Sequence, residues 1–151
     1  MACIENPTTS KTYLVLGEQT NSLMSPKQMK KDTVNLLPEL DPYLMGYKER
    51  DRYLESKNRD YVFDRAGNAT STILLNGEIA GVWDVYEYPK PVVKFFLFRD
   101  LHEGMVRSMH ATAKRMGRFI TEKEPHIKEC DSMTPLIHRT AGGVMSPLKD
   151  S

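Results

Sequence analysis

The sequence predicts an α+β fold: an antiparallel β-meander, which could curl into a partial barrel, packed by one long C-terminal amphipathic helix. Three observations carry this. Residues 71–75 and 79–88 are rich in strand formers and flank Asn76-Gly77, the strongest short hairpin signal, because a type I′ turn needs positive φ at both central positions. A third apolar run, residues 92–98, follows the break at Pro89-Lys90-Pro91. Met105, Met109, Ala113, Met116 and Ile120 then recur at helical spacing, joined by Phe119.

Taken in order, residues 1–11 are polar and contain Pro7, and read as a loose end. Residues 12–16, closed by Gly17, suggest one strand. Ser25-Pro26 could start a short helix, with Ser25 as N-cap and Pro26 at the first position; a loop reads equally well. In Leu36-Leu-Pro-Glu-Leu-Asp-Pro-Tyr-Leu-Met-Gly46, Pro38 and Pro42 each remove a backbone donor. Such a segment is held by side-chain packing more than by a ladder. Residues 47–57 alternate in charge and read as a solvated turn or short helix. Residues 61–63 suggest a strand leading into a turn with Gly67. Gly81 marks a bulge or a close backbone approach, and Trp83 is the natural core anchor. The helix should run from about residue 101 to 124, with Asp100 as N-cap and Glu103 completing a capping box. The expected core is Tyr13, Val15, Leu37, Leu40, Leu44, Phe63, Ile73, Leu75, Ile79, Trp83, Val93, Phe95, Leu97, Met109, Met116 and Ile120. The organisation expected is a loose end over 1–11, a single domain over 12–124 and an irregular tail over 125–151.

With 151 residues there is room for one domain and tails. Lys plus Arg is 21 against 20 Asp plus Glu, so the formal charge of +1 excludes a globally basic nucleic-acid binder and an acidic disordered tail, while leaving room for a local basic patch. No apolar run approaches the ~20 residues needed to cross a bilayer, and no secretory signal is visible at the start. The two cysteines, Cys3 and Cys130, suit free thiols in a reducing compartment better than a disulfide framework. A cytoplasmic protein is the expectation.

The predicted helix carries the one charge pattern of interest. Arg107, His110, Lys114 and Arg118 fall three or four apart and share a face, Arg115 flanks them, and no acid lies between Gly104 and Phe119. Such a stripe can meet phosphates; the bland alternative is the solvated face of an amphipathic helix. His126, Cys130 and His138 could supply metal ligands only with others that no motif indicates, so no metal or cofactor is expected. Glu39, Asp41, Asp51 and Asp64 could pair for acid–base work, but their spacing fixes nothing. Arg50 and Arg52 near Asp51 are more often local ion pairs than a substrate clamp.

Residues 36–52 resemble a signature of the AlkZ/YcaQ-like winged-helix proteins, Leu-Leu-Pro-x-Phe-Asp-x-x-Leu-Leu-Gly-Tyr-x-Asp-Arg. In the same order, Thr72-Ile-Leu-Leu-Asn-Gly-Glu-Ile-Ala-Gly-Val-Trp83 is similar to that family's Val-Leu-Val-Asp-Gly-x-Val-x-Gly-Thr-Trp hairpin. The resemblance covers roughly residues 12–121. It implies the C-terminal β-rich part of a protein with tandem winged helices, whose characterised members are DNA glycosylases that remove alkylated bases or unhook interstrand crosslinks. The family's catalytic pair is Gln-x-Gln or Gln-x-Asp in its N-terminal part. The glutamines here are Gln19 and Gln28; Gln19-Thr20-Asn21 has a related outline but lies in the wrong place, and no catalytic role passes to it. Glu49 conservatively replaces the first acid of the signature, and Asp84 stands where a basic residue commonly follows the hairpin tryptophan.

The expectation is therefore a fragment or a free-standing descendant of such a protein. It would be a non-catalytic, DNA-associated accessory domain that contacts duplex backbone weakly and non-specifically through Arg107, His110, Lys114, Arg115, Arg118, Arg50 and Arg52, or that packs on upstream winged helices. Two alternatives stand beside it: a protein-interaction or structural domain packing on a partner or a second copy, and a small enzyme using carboxylates near Asp41 and Asp51.

Overall fold

The computed structural model describes residues 2–6, 11–25, 32–87 and 89–138. The possible helix start at Pro26 and the end of the expected tail, 139–151, lie outside them. The chain divides into two compact units, Met1–Lys31 and Asp32–Ser151.

In the first unit, β1 (Ala2–Asn6) pairs antiparallel with β2 (Lys11–Val15), with Ile4 opposite Tyr13 and Cys3 opposite Leu14. A short 3-10 turn and α1 (Thr20–Met24) follow. A strand thus stands within the segment read as a loose end; five residues without a clean alternation gave it no periodicity to find. None of the described residues of this unit is fully buried, and Tyr13, expected in the core, is 41% exposed.

The second unit is built on a five-stranded sheet ordered β3-β4-β5-β6-β7. β3 (Val34–Leu37), β4 (Thr72–Leu75), β5 (Glu78–Tyr86) and β6 (Val92–Leu97) form the expected antiparallel meander. β7 (His126–Glu129) joins β6 in parallel, in a stretch read as irregular tail. Its connection is α4 (Glu103–Thr121), the kind of helical crossover a parallel pair requires. The sheet is open, with β3 and β7 at its edges.

The hairpin forms as its sequence dictates: Asn76 and Gly77 take φ of 52° and 91°. Ile73 pairs with Gly81 but Leu74 with Ile79, so one extra residue bulges at Ala80. Gly81 also faces the backbone carbonyl of Phe96 so closely that a Cβ would collide with it.

Both sheet faces are covered, which is why β4 is buried at all four positions. Against one face lies the buried stripe of α4, with Met105, Met109 and Ala113 packed among Ile73, Leu75, Trp83, Val93 and Phe95. The other face meets α2 (Pro42–Met45), α3 (Arg59–Val62) and the segment around Cys130 and Met133, which bury Leu44, Tyr53, Leu54, Val62, Phe63, Leu74, Ile79 and Val82 together. Residues 61–63, read as a strand, are the end of a helical turn and a single bridge from Phe63 to Ala69.

Two further core expectations, Leu40 and Ile120, are corrected by local geometry, as is the place of Phe119 on the helix stripe. Leu40 adopts φ of 56° in the turn after Pro38 and points outward. Phe119 and Ile120 stand in the last turn of α4 and are exposed, Phe119 at 83%. The place expected of them is taken by Gly117, whose missing side chain lets the helix settle on Val93 and Pro125. No helix among the described residues is long and apolar enough to cross a membrane.

Candidate nucleic-acid interface

The helix α4 starts two residues later than its capping box suggests. His102 is the N-cap; its Nδ1 accepts from the Met105 N–H at 3.3 Å, while Nε2 faces Asp32 at 3.3 Å. Asp32 also accepts from the Asn76 amide, so the hairpin tip and the start of α4 share one carboxylate. With Met105, Met109, Ala113 and Gly117 fixed on the sheet, Arg107, Lys114, Arg115 and Arg118 are exposed on the opposite side, while His110 is exposed at the margin of the buried stripe. The structure brings the four cations together on one helix surface, with His110 at its sheet-side edge.

That surface is framed by acids at both ends. Glu103 pairs with Arg107 at 3.3 Å, one turn apart. At the other end, Glu122 takes the left-handed conformation at φ 57° and reverses the chain, and Thr121 Oγ1 donates to the Gly117 carbonyl at 2.9 Å. The reversal carries Glu124 back over the helix. One of its carboxylate oxygens meets Lys114 Nζ at 2.5 Å; the other accepts from Arg118 Nε at 2.9 Å and from the Arg118 terminal nitrogen. Glu103 was within reach of spacing rules for Arg107. Glu124 was not, because six residues separate it from Arg118 and only the left-handed turn closes that gap. His110 lies edge-on to Phe95, ring centres 5.5 Å apart.

Arg50 and Arg52 lie elsewhere, with the core on the face of the sheet away from α4. The Arg50 guanidinium stacks 3.6 Å over Phe63 and donates to the Gly67 carbonyl at 3.3 Å, holding the turn of residues 64–68. Arg52 lies 3.8 Å over the Tyr47 ring and near Tyr43 and Tyr53. Asp84 is fixed within its strand, accepting from the Val85 N–H and the Tyr86 hydroxyl, each at 2.8 Å. Directly across the ladder stands Lys94, buried, with its Nζ 4.8 Å from the centre of the Tyr86 ring.

A cleft of about 240 Å³ lies beside the hairpin and brings Asp51, Glu55 and Glu78 together with Arg52 and Arg99. Asp41 is not part of it; its carboxylate caps α2 by accepting from the Tyr43 N–H at 2.8 Å. Arg99 pairs with Glu78 at 3.1 Å. Lys57, hydrogen-bonded to Glu55 at 2.7 Å, holds that carboxyl below its ordinary range, the opposite of the raised value a general acid needs near neutrality. His126 is exposed at the start of β7 and Cys130 is buried just after it. Among the described residues no group of three His, Cys, Asp or Glu is placed to hold a metal ion.

These features define an α+β domain whose mixed sheet is helix-covered and whose longest helix presents a cationic outer surface. The chain belongs to the DNA glycosylase AlkZ-like family, whose family model matches residues 5–119. The structure is similar to that of the Streptomyces sahachiroi DNA glycosylase AlkZ, at a TM-score of 0.59 and 18% identity, over 79% of this chain and 31% of that one. That likeness is one of fold, and the chain spans under a third of the length of that protein. No curated protein matches the chain.

Proposed function

We propose that this chain is a DNA-associated accessory domain of an AlkZ-like glycosylase, non-catalytic by itself, which holds duplex backbone through the outer surface of α4. The observation that carries the reading is the segregation of α4: one side is spent on the sheet, while Arg107, Lys114, Arg115 and Arg118 project from the other. Family membership supplies the kind of polyanion such a surface would meet.

The non-catalytic part of the reading rests on the glutamines. The family's catalytic pair has no counterpart here, since Gln19 ends an exposed 3-10 turn and Asn21, not glutamine or aspartate, stands two residues on. Contacts to phosphate set position without reading bases, so binding should be weak and nearly indifferent to sequence. Arg50, packed on Phe63, contributes less to this surface than the α4 residues; Arg52 remains exposed for a separate contact.

Filter binding to a labelled duplex at low and moderate salt tests the proposal. Binding should fall steeply as salt rises and should be lost when Arg107→Glu is combined with Arg118→Glu. No binding at low salt, or binding untouched by the double substitution, overturns it.

A further inference from the structure

We propose that Glu124 is an internal stand-in for a nucleic-acid phosphate, and that a duplex backbone binds α4 by taking its place between Lys114 and Arg118. The proposal rests on the reading of α4 as the DNA-facing surface and assigns one phosphate site within it.

The geometry has three parts. First, a single carboxylate spans both cations, one oxygen on Lys114 Nζ and the other on two nitrogens of Arg118. A guanidinium fork engaging an oxyanion while a lysine takes a second oxygen is equally the way a phosphodiester's non-bridging oxygens are held. Second, the carboxylate is not part of the core. The side chains of Lys114, Arg118 and Glu124 are each about half exposed or more, so water screens the pairs and little is lost when one anion replaces another. Third, the backbone that presents Glu124 is fixed independently of these contacts. The left-handed Glu122 turn, the Thr121 hydroxyl on the Gly117 carbonyl and the buried Pro125 against Gly117 all hold it. The carboxylate can therefore swing away without unravelling the helix end.

An internal competitor lowers affinity. Its exposed ion pairs weaken as salt screens them, so the competition is strongest at low salt and its removal should steepen the salt dependence. Glu122 is the natural control: it is an exposed acid two residues away, and it makes no ion pair with the α4 cations among the described residues.

Duplex binding is measured across a salt series for the wild-type chain, Glu124→Gln, Glu122→Gln and Glu124→Gln combined with Lys114→Ala and Arg118→Ala. The expectation is about three- to tenfold tighter binding for Glu124→Gln at low salt, a gain that shrinks as salt rises and so gives a steeper log–log salt slope. Glu122→Gln, which changes the net charge equally, should give a smaller gain and no change in slope. The gain should vanish when the two cations are removed, and thermal unfolding of Glu124→Gln should match wild type. Equal gains from Glu122→Gln and Glu124→Gln, or no gain from Glu124→Gln in a chain that does bind DNA, overturns this inference and leaves the DNA-associated reading standing. No binding by wild type or any variant at low salt removes that reading and this inference with it.

Discussion

Thr72 shows how a single side chain can be at odds with its surroundings. It is fully buried in the middle of the sheet, and among the described residues its hydroxyl has no hydrogen-bond partner. Burying a hydroxyl unsatisfied costs ~1–3 kcal/mol, and valine has nearly the same shape. Thr72→Val should therefore raise stability by about 1 kcal/mol, read as a higher denaturant midpoint at unchanged slope; a lower midpoint would refute the orphaned hydroxyl. Trp83 is the contrasting case, since its indole N–H donates to the Leu37 carbonyl at 2.9 Å. Tyr53 is intermediate. Its hydroxyl donates to the Leu44 carbonyl at 3.2 Å, and burial raises its pKa, with the charges of Arg50 and then Arg52 opposing that rise. At this scale the legible residues were those whose role is local or set by bulk, such as Asn76, Gly77, Gly81 and Trp83. The stacking of Arg50 on Phe63 joins positions with no periodic relation, and nothing short of the fold brings them together.

Among the elements, α4 was the most legible, because its methionines recur on one stripe and burial on a sheet demands that period. Its ends were less so. The N-cap passed to His102, whose ring nitrogen can accept although histidine is not a favoured cap, and the C-terminus fell at a left-handed glutamate in place of the usual glycine. Gly117 was the overlooked signal. A mid-helix glycine costs ~1 kcal/mol relative to alanine, and one that is retained marks a close approach. A Cβ there would lie 2.5 Å from Val93 Cγ2 and 2.7 Å from Pro125 Cγ, both on stiff side chains. Gly117→Ala should therefore destabilise the protein by ~1–3 kcal/mol despite its better helix propensity; a stabilised variant in chemical denaturation would show that α4 rides higher on the sheet than described. The cationic side of α4 was legible as spacing, but its pairing with Glu124 was not, for that depends on the turn at Glu122.

For the molecule as a whole, the meander and the helix on it followed from alternation, one hairpin turn and one helical stripe. The second core layer did not. It is assembled from α2, α3 and the segment after β7, pieces too short to carry a period, and it buries Tyr53, Leu54 and Val62 from stretches that read as charged turns or a strand. The family resemblance proved sound over nearly the span on which it was read, because it rests on ordered blocks and not on any one element. Among the described residues, both core clusters are drawn entirely from the second unit.

The parallel edge strand β7 has a kinetic consequence. Cys130 follows it directly, 2% exposed, its N–H donating to the Phe95 carbonyl at 2.8 Å, whereas Cys3 is exposed on β1. The chain thus carries two thiols that report on different events. A disulfide reagent should modify Cys3 at the rate of an open thiol and Cys130 only during excursions in which the sheet edge opens. Two well-separated phases are expected, with the fast one abolished by Cys3→Ser. A single fast phase counting both sulfurs would mean that β7 is not held against β6 in solution. The slow phase, followed against temperature or denaturant, would time the opening of one strand without any engineered probe.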